Sequence, residues 1–252
     1  MLSLFQRQQH QEKSHTPEQV RFRLSQMENH SYLKDFIYGA VDGAVTTFAV
    51  VSGVAGANLA PQVVIILGMA NLLADGFSMA VSNYLGTRTE KQQLEKTLLE
   101  EQQEIENDPA GEQEEIRQIY AKKGFTGDLL EQVVRTITSD KRIWAHTMLQ
   151  EEHGLSLSPV SEWKAALATF TAFLLVGIIP IAPYLWNYRS LPGIDNPFWW
   201  SSTCTGIAFF SIGALKSRFI SKPWYTSGME TMLLGSAAAC VSYLVGVLLK
   251  GI

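Results

Sequence analysis

Apolar and polar residues are segregated along this chain into long blocks. From about Phe36 to Leu85, and again from about Trp163 to Ile252, charges are sparse, whereas the segments before and between are polar. Five apolar runs each extend for roughly 20 residues or more, the length at which a helix crosses a hydrocarbon core of about 30 Å. They are Phe36 to Leu59, Val63 to Leu85, Trp163 to Tyr188, Phe198 to Phe219 and Tyr225 to Leu249, the first two joined by the uncharged Ala60-Pro61-Gln62. The pattern predicts an all-α membrane protein with five transmembrane helices and a three-helix insert between the second and third spans. The expected organisation is a polar N-terminal tail over 1–33, spans one and two over 34–86, the helical insert over 87–157, and spans three to five over 158–252. No apolar core precedes the first span, so no cleavable signal peptide is expected.

Bulk composition conceals this split: 46% hydrophobic, 17% charged and net charge −4 describe an almost soluble average, with mean hydropathy +0.05. Charge placement adds an orientation. Lys216, Arg218 and Lys222 crowd the loop between the fourth and fifth spans, while the loop before the fourth holds only Arg189. Short loops rich in Lys and Arg stay cytoplasmic, which places the N-terminus and the insert in the cytoplasm and the C-terminus outside. Trp163, Trp186, Trp199, Trp200 and Trp224 fall at span ends, where indole rings favour the interface. The two cysteines, Cys204 and Cys240, lie in separate spans and read as small packing residues. No nucleic-acid partner is expected. A bacterial plasma membrane, preferred here, and an organelle membrane both satisfy the charge pattern.

The insert carries the densest candidate chemistry. Between Glu90 and Glu115 ten acidic residues stand against Lys91 and Lys96. A solvated helix face would explain the composition, but the spacing adds something. A helix to about Glu106 breaks at Asn107-Asp108-Pro109-Ala110-Gly111 and restarts with Asp108 as N-cap and Pro109 in the first turn. Glu101 and Glu104 are three apart before the break, and Glu112 and Glu115 three apart after it. Residues at i and i+3 share a helix face, so an antiparallel hairpin brings two carboxylate pairs together, where they repel unless something positive sits among them. A third helix, from about Asp128 to His153, carries Met148 and Glu152 at i and i+4. Carboxylates with a thioether suit Fe²⁺, with Mn²⁺, Co²⁺ or Zn²⁺ as other occupants. His146 and His153 are nearby nitrogens that read first as surface residues.

In the second span Asn71, Asp75, Met79 and Asn83 recur at four-residue intervals, widened by Ser78 and Ser82. Ionisable groups in a bilayer are costly and normally face a water-filled path or a partner helix. The first span supplies Asp35, Asp42 and Thr46, and Asp42 is about two turns inside. It reads either as a structural hydrogen-bonding residue or as a carboxylate that binds metal and releases protons. Gly39-x-x-x-Gly43, Gly53-x-x-Gly56 and Gly235-x-x-x-Ala239 permit close helix approach, a non-specific pointer to a dimer. Pro180 and Pro183 should bend the third span and open carbonyls toward a cavity. Glu230 either snorkels to the surface or joins the path.

The Tyr38-Gly39-Ala40-Val41-Asp42-Gly43-Ala44-Val45-Thr46-Thr47 opening, Ser78-Met79-Ala80 in the second span, and an acidic insert ending in Glu152-His153-Gly154-Leu155 resemble the vacuolar iron transporter family. The similarity runs from about His30 to the C-terminus. It implies a homodimeric Fe²⁺/H⁺ antiporter with no cofactor, whose pathway lies near the subunit interface. By motif position it implies insert ligands at Glu101, Glu104, Glu112, Glu115, Met148 and Glu152, and a membrane pair at Asp42 and Met79. Two departures stand out: many members of that family have Gly-Glu-Tyr where this chain has Ser82-Asn83-Tyr84, and a glycine where it has Asp75.

Three other functions fit parts of the pattern. A passive metal channel or a metal-sensing membrane protein would use the same insert without moving protons. A di-iron carboxylate enzyme would need Glu-x-x-His pairs, and the only such spacing is Glu12-x-x-His15 in the tail. The sequence therefore favours a transporter over an enzyme, with Asp42 and Asp75 arguing for proton coupling.

Overall fold

The computed structural model describes residues 16–26, 31–157, 160–188, 193 and 195–251. Arg189, Glu12 and His15 lie outside the described residues. Among those described, all regular structure is helical: α1 Pro17–Gln26, α2 Leu33–Gly56, α3 Pro61–Asn107, α4 Pro109–Lys122, α5 Gly127–Thr138, α6 Lys141–Glu151, α7 Glu162–Gly177, α8 Ala182–Tyr188, α9 Pro197–Lys216 and α10 Trp224–Leu248. The chain divides into two compact units. One comprises Ser31–Arg88 with Ser161–Ile252, and the other Met1–His30 with Thr89–Val160.

Three helices, α2, α3 and α10, are long and apolar enough to cross a membrane, and the bent pair α7 and α8 makes a fourth. The fourth run of the sequence folds as α9, but Ser201, Ser202, Thr203, Thr205 and Ser211 dilute its apolar character. Length and composition therefore do not by themselves reach the expected five spans.

Within the membrane unit, missing side chains set the helix spacing. A Cβ on Gly39 would stand 2.4 Å from the Thr169 carbonyl oxygen, and one on Gly43 would stand 2.5 Å from that of Phe173. The Gly39-x-x-x-Gly43 face is thus used inside the chain, against α7. Gly56 meets the backbone of Tyr243, and Gly246 that of Gly53, so α2 and α10 close in the same way. Gly235 lies against the Phe209 ring. These motifs are consumed by packing within one chain and give no support to a dimer.

The bend expected from the prolines is present, with α7 and α8 meeting at 57°. Its freed carbonyl does not open to a cavity, however: Pro180 accepts a 2.6 Å hydrogen bond from Ser201 Oγ. A hydroxyl on the neighbouring helix satisfies the acceptor that the turn leaves unpaired.

The insert departs from a three-helix reading in two places. No residue between Gly86 and Glu106 breaks the helix, so the second span and the first insert helix form one element of 47 residues rather than ending at Leu85. Asp108 then stops and restarts the chain as foreseen, accepting from Gly111 N at 3.0 Å with Pro109 just behind it. The segment expected as one helix from Asp128 to His153 is two. Asp140 accepts from the backbone N–H groups of Arg142 and Ile143, so a new N-terminus forms there. The unit's apolar centre is Ile105, Ile116, Leu130, Val134, Ile137 and Trp144, in which Leu130, Val134 and Ile137 follow the helical repeat of α5.

These contacts separate two helical glycines. Gly43→Ala should cost about 1–3 kcal/mol of stability through overpacking against backbone. Gly86→Ala, whose Cβ meets nothing within 4 Å, should gain about 0.5–1 kcal/mol from helix propensity. Thermal unfolding of both variants in detergent measures the difference.

Candidate metal sites

In the insert, the end of α3 brings Glu101 inward, α4 brings Glu112, and the end of α6 brings Met148 and Glu152. Glu101 is only 2% exposed and Met148 is 0% exposed. Glu112 is also buried, while Glu104, Glu115 and Glu152 are exposed. One carboxylate oxygen of Glu101 and one of Glu112 are buried without a hydrogen-bond partner. Ligand atoms of Glu101, Glu152 and His153 lie within 4.8 Å of one another. Met148 packs with Ile105, Ile116 and Trp144 as part of the apolar floor.

The protonation behaviour follows from this crowding. Burial, then repulsion from Glu115, Glu101, Glu104 and Glu152, pushes Glu112 up to about 7. Glu101 and Glu115 are also raised, chiefly by burial and then, for Glu115, by the Glu152 carboxylate, with which it also shares a hydrogen bond. His153 Nε2 contacts Glu101 Oε1 at 2.7 Å, and that hydrogen bond raises the imidazole. Other cations nearby are spent elsewhere: Arg117 is held by Glu114 and Glu131, and Lys123 by Glu151. His153 is the residue that the sequence undervalued. Its signal was adjacency to Glu152 at the end of a helix whose Met148 already pointed inward. His146 is half-buried and belongs to no described cluster.

In the membrane unit, a cavity of about 430 Å³ is lined by Lys34, Asp35, Tyr38, Asp42, Met79, Ser82, Asn83 and Thr169. Asn83 Nδ2 donates to Asp35 Oδ1 at 3.0 Å and to Thr169 Oγ1 at 2.7 Å, tying α3 to α2 and α7. Asp35, Asp42, Met79 and Asn83 are thus gathered as the spacing suggested. Asn71 and Asp75 do not line this cavity. Both are half-buried, as Met79 and Asn83 are, and they lie further along α3. Thr46 Oγ1 bonds the Asp42 carbonyl at 2.9 Å and is satisfied locally. Glu230 pairs with Lys222 at 3.0 Å on the surface and leaves the path. Thr169 was not singled out by sequence, because a lone hydroxyl in an apolar span carries no pattern, and Tyr38 entered only as the first residue of the family motif.

The VIT family model matches residues 33–247. The chain belongs to the VIT family. Relatives include the vacuolar iron transporter of Plasmodium berghei, 34% identical over 88% of this chain and 85% of that protein. The vacuolar iron transporter of Plasmodium falciparum is 32% identical over 88% and 85%. Vacuolar iron transporter 1 of Tulipa gesneriana is 27% identical over 94% and 90%. These relatives are named as transporters, and this VIT member is accordingly a membrane transport protein rather than an enzyme.

Two measurements test the insert. The raised carboxyls bind protons more tightly folded than unfolded, so their stabilisation is present at low pH and is lost as pH rises through their folded values, near 7 for Glu112. The raised His153 acts in the same direction. Metal-free full-length protein should therefore show higher hydrogen-exchange protection in α4 and α6 at pH 6 than at pH 8, and saturating divalent metal should erase the difference. By calorimetry, Glu101→Ala combined with Glu115→Ala should weaken metal binding at least tenfold with helicity nearly unchanged; equal affinity would remove both residues from the metal site.

Proposed function

We propose that this chain carries Fe²⁺, with Mn²⁺ as a second cargo, out of the cytoplasm in exchange for protons, and that the insert captures the metal on the cytoplasmic side. The observation that carries this reading is the pair of buried carboxylates, Glu101 and Glu112, each with an unpartnered oxygen, against which, among the described residues, the His153 imidazole is the basic group in contact, through Glu101. A divalent ion supplies the missing charge. The names of the relatives, all vacuolar iron transporters, support iron as the cargo. On this reading Glu101, Glu104, Glu112, Glu115, Met148 and Glu152 form the capture site, joined by His153 as a nitrogen ligand or proton carrier.

Asp42 and Met79 are assigned as the membrane metal pair, with Asp35 and Asn83 at the mouth of the same cavity and Asp75 and Asn71 further along α3. Five spans, with α9 as the fourth, a cytoplasmic N-terminus and insert, and a homodimeric assembly complete the proposal. A bacterial plasma membrane was the preferred expectation, with a charge pattern that suits an organelle membrane as well. The relatives' vacuolar names bring an organelle membrane forward equally, and export from the cytoplasm has the same sense in both.

An aspartate in a low-dielectric path favours its neutral form, and a divalent ion reverses that preference. Metal entry then expels a proton, and reprotonation from the acidic side releases the metal. Asp42→Asn should assemble normally yet lose gradient-driven flux by more than tenfold in proteoliposomes with an imposed pH gradient. Met79→Leu should raise the apparent KM for Fe²⁺ more than for Mn²⁺, because only the softer ion gains from the thioether. Gradient-responsive flux at the unsubstituted rate by Asp42→Asn moves the coupling site elsewhere, and metal flux with no lumenal pH change replaces the antiporter by a channel.

A further inference from the structure

Asn83 joins three helices of the membrane unit. Its Nδ2 donates to Asp35 Oδ1 on α2 at 3.0 Å and to Thr169 Oγ1 on α7 at 2.7 Å. A carboxylate oxygen only accepts, so the amide nitrogen has to be the atom on that side, and both of its N–H groups are spent. The two partners belong to one platform. Thr169 is fully buried, and its carbonyl oxygen stands where a Cβ on Gly39 would be, so α2 and α7 meet there backbone to backbone. Asn83 thus attaches α3 at two points to a pair of helices already held together.

Other ties of α3 within this unit are apolar. Toward the α2–α3 turn, Val64 packs with Ala44, Phe48 and Val51. Further on, Leu72 packs with Phe173 and Ile181, and the Phe173 ring lies against Gly76. Apolar contacts are non-directional, whereas hydrogen bonds are directional. Met79 lies four residues before Asn83, about 6 Å away along the same face of α3. Asp42 lies seven residues after Asp35 on α2, which is about two turns, and all four residues line one cavity. Met79 edges the Leu72 cluster on an unbranched, adaptable side chain, which packing alone does not direct. Rotation of α3 about its axis would carry the thioether away from Asp42, and the two-point clasp one turn along the helix resists that rotation.

We propose that Asn83 is a positioning residue for metal selection: by clasping α3 to Asp35 and Thr169 it sets where the Met79 thioether stands relative to the Asp42 carboxylate. The preference for Fe²⁺ over the harder Mn²⁺ then depends on Asn83, because only the softer ion gains from the thioether. Displacement of a ligand by about 1 Å is enough to lose such an advantage. The inference rests on the reading of Asp42 and Met79 as the membrane metal pair.

The test is the ratio of apparent KM values for Fe²⁺ and Mn²⁺, measured by flux of each metal into proteoliposomes carrying the full-length protein. Asn83→Leu keeps the size of the side chain, removes both donors and adds no charge. It should raise the KM for Fe²⁺ about tenfold and that for Mn²⁺ much less. Adding Met79→Leu should then change the ratio little further, since both substitutions remove the same thioether contact. Asn83→Asp alone should also lose the preference, because two carboxylates then face each other. Asp35→Asn combined with Asn83→Asp reverses donor and acceptor at the same net charge and should regain it. Retained Fe²⁺ preference in Asn83→Leu, an equal rise in both KM values, or full additivity with Met79→Leu would overturn the proposal. If Met79→Leu by itself leaves the ratio unchanged, the metal-pair reading fails and this inference with it; a loss there that Asn83→Leu does not share overturns this inference alone. Should Asn83→Leu fail to fold, the comparison of Asn83→Asp with the reversed pair decides, and no regain of preference overturns the proposal.

Discussion

A carboxylate removed from water has to find a positive charge, take up a proton, or wait for an ion, and this chain meets that requirement in both of its units. In the insert, Glu101 and Glu112 are buried with unpartnered oxygens, and the arginine and lysine within reach are already held by Glu114, Glu131 and Glu151. Among the described residues, His153 is the basic group that contacts the cluster, through Glu101. On the proposed reading, the result is a site that protons occupy at low pH and that a divalent cation would complete at higher pH. A native ion pair would have removed this sensitivity, since a fixed Lys or Arg among the glutamates would compete with metal permanently.

The membrane unit solves a related problem by packing. Close approach of α2 and α7 at Gly39 and Gly43 brings backbone to backbone, and the polar groups thereby gathered are tied by Asn83 to Asp35 and Thr169. Asp42 stands on the same wall of the same cavity. A larger residue at either glycine would separate the helices and open these hydrogen bonds, so the small side chains and the polar bridge depend on each other. The bend at Pro180 is settled in the same economical way, by one hydroxyl from α9.

Much of this was legible because it rests on local rules. Apolar runs located the helices of the membrane unit, Asp108-Pro109 located the hairpin break, and i, i+3 spacing placed Glu101, Glu104, Glu112 and Glu115 on neighbouring faces. What escaped has two sources. Two local signals were passed over, the lack of any stop between Gly86 and Glu106 that lets α3 run on and the Asp140 cap within an otherwise helical pattern; the rest depends on tertiary contact. Asn71 and Asp75 keep the half-buried side of α3 that the repeat predicts but lie beyond the residues that line the cavity. The glycine motifs were correctly read as close-approach surfaces but not as to which helix approaches. His153 needed its partner, Glu101, 52 residues earlier, to be more than a surface histidine.

The central claim, that metal replaces protons among buried carboxylates, is tested most directly by counting protons released per metal bound. Calorimetric titration of Fe²⁺, kept anaerobic, into the full-length protein in buffers of different ionisation enthalpy gives that number. It should exceed zero at pH 6.5 and fall as pH rises above the raised value of Glu112, near 7. A Glu101→Gln variant should release fewer protons as well as bind more weakly. Proton release that is zero at pH 6.5, or the same at pH 6.5 and pH 8.5, would contradict the account.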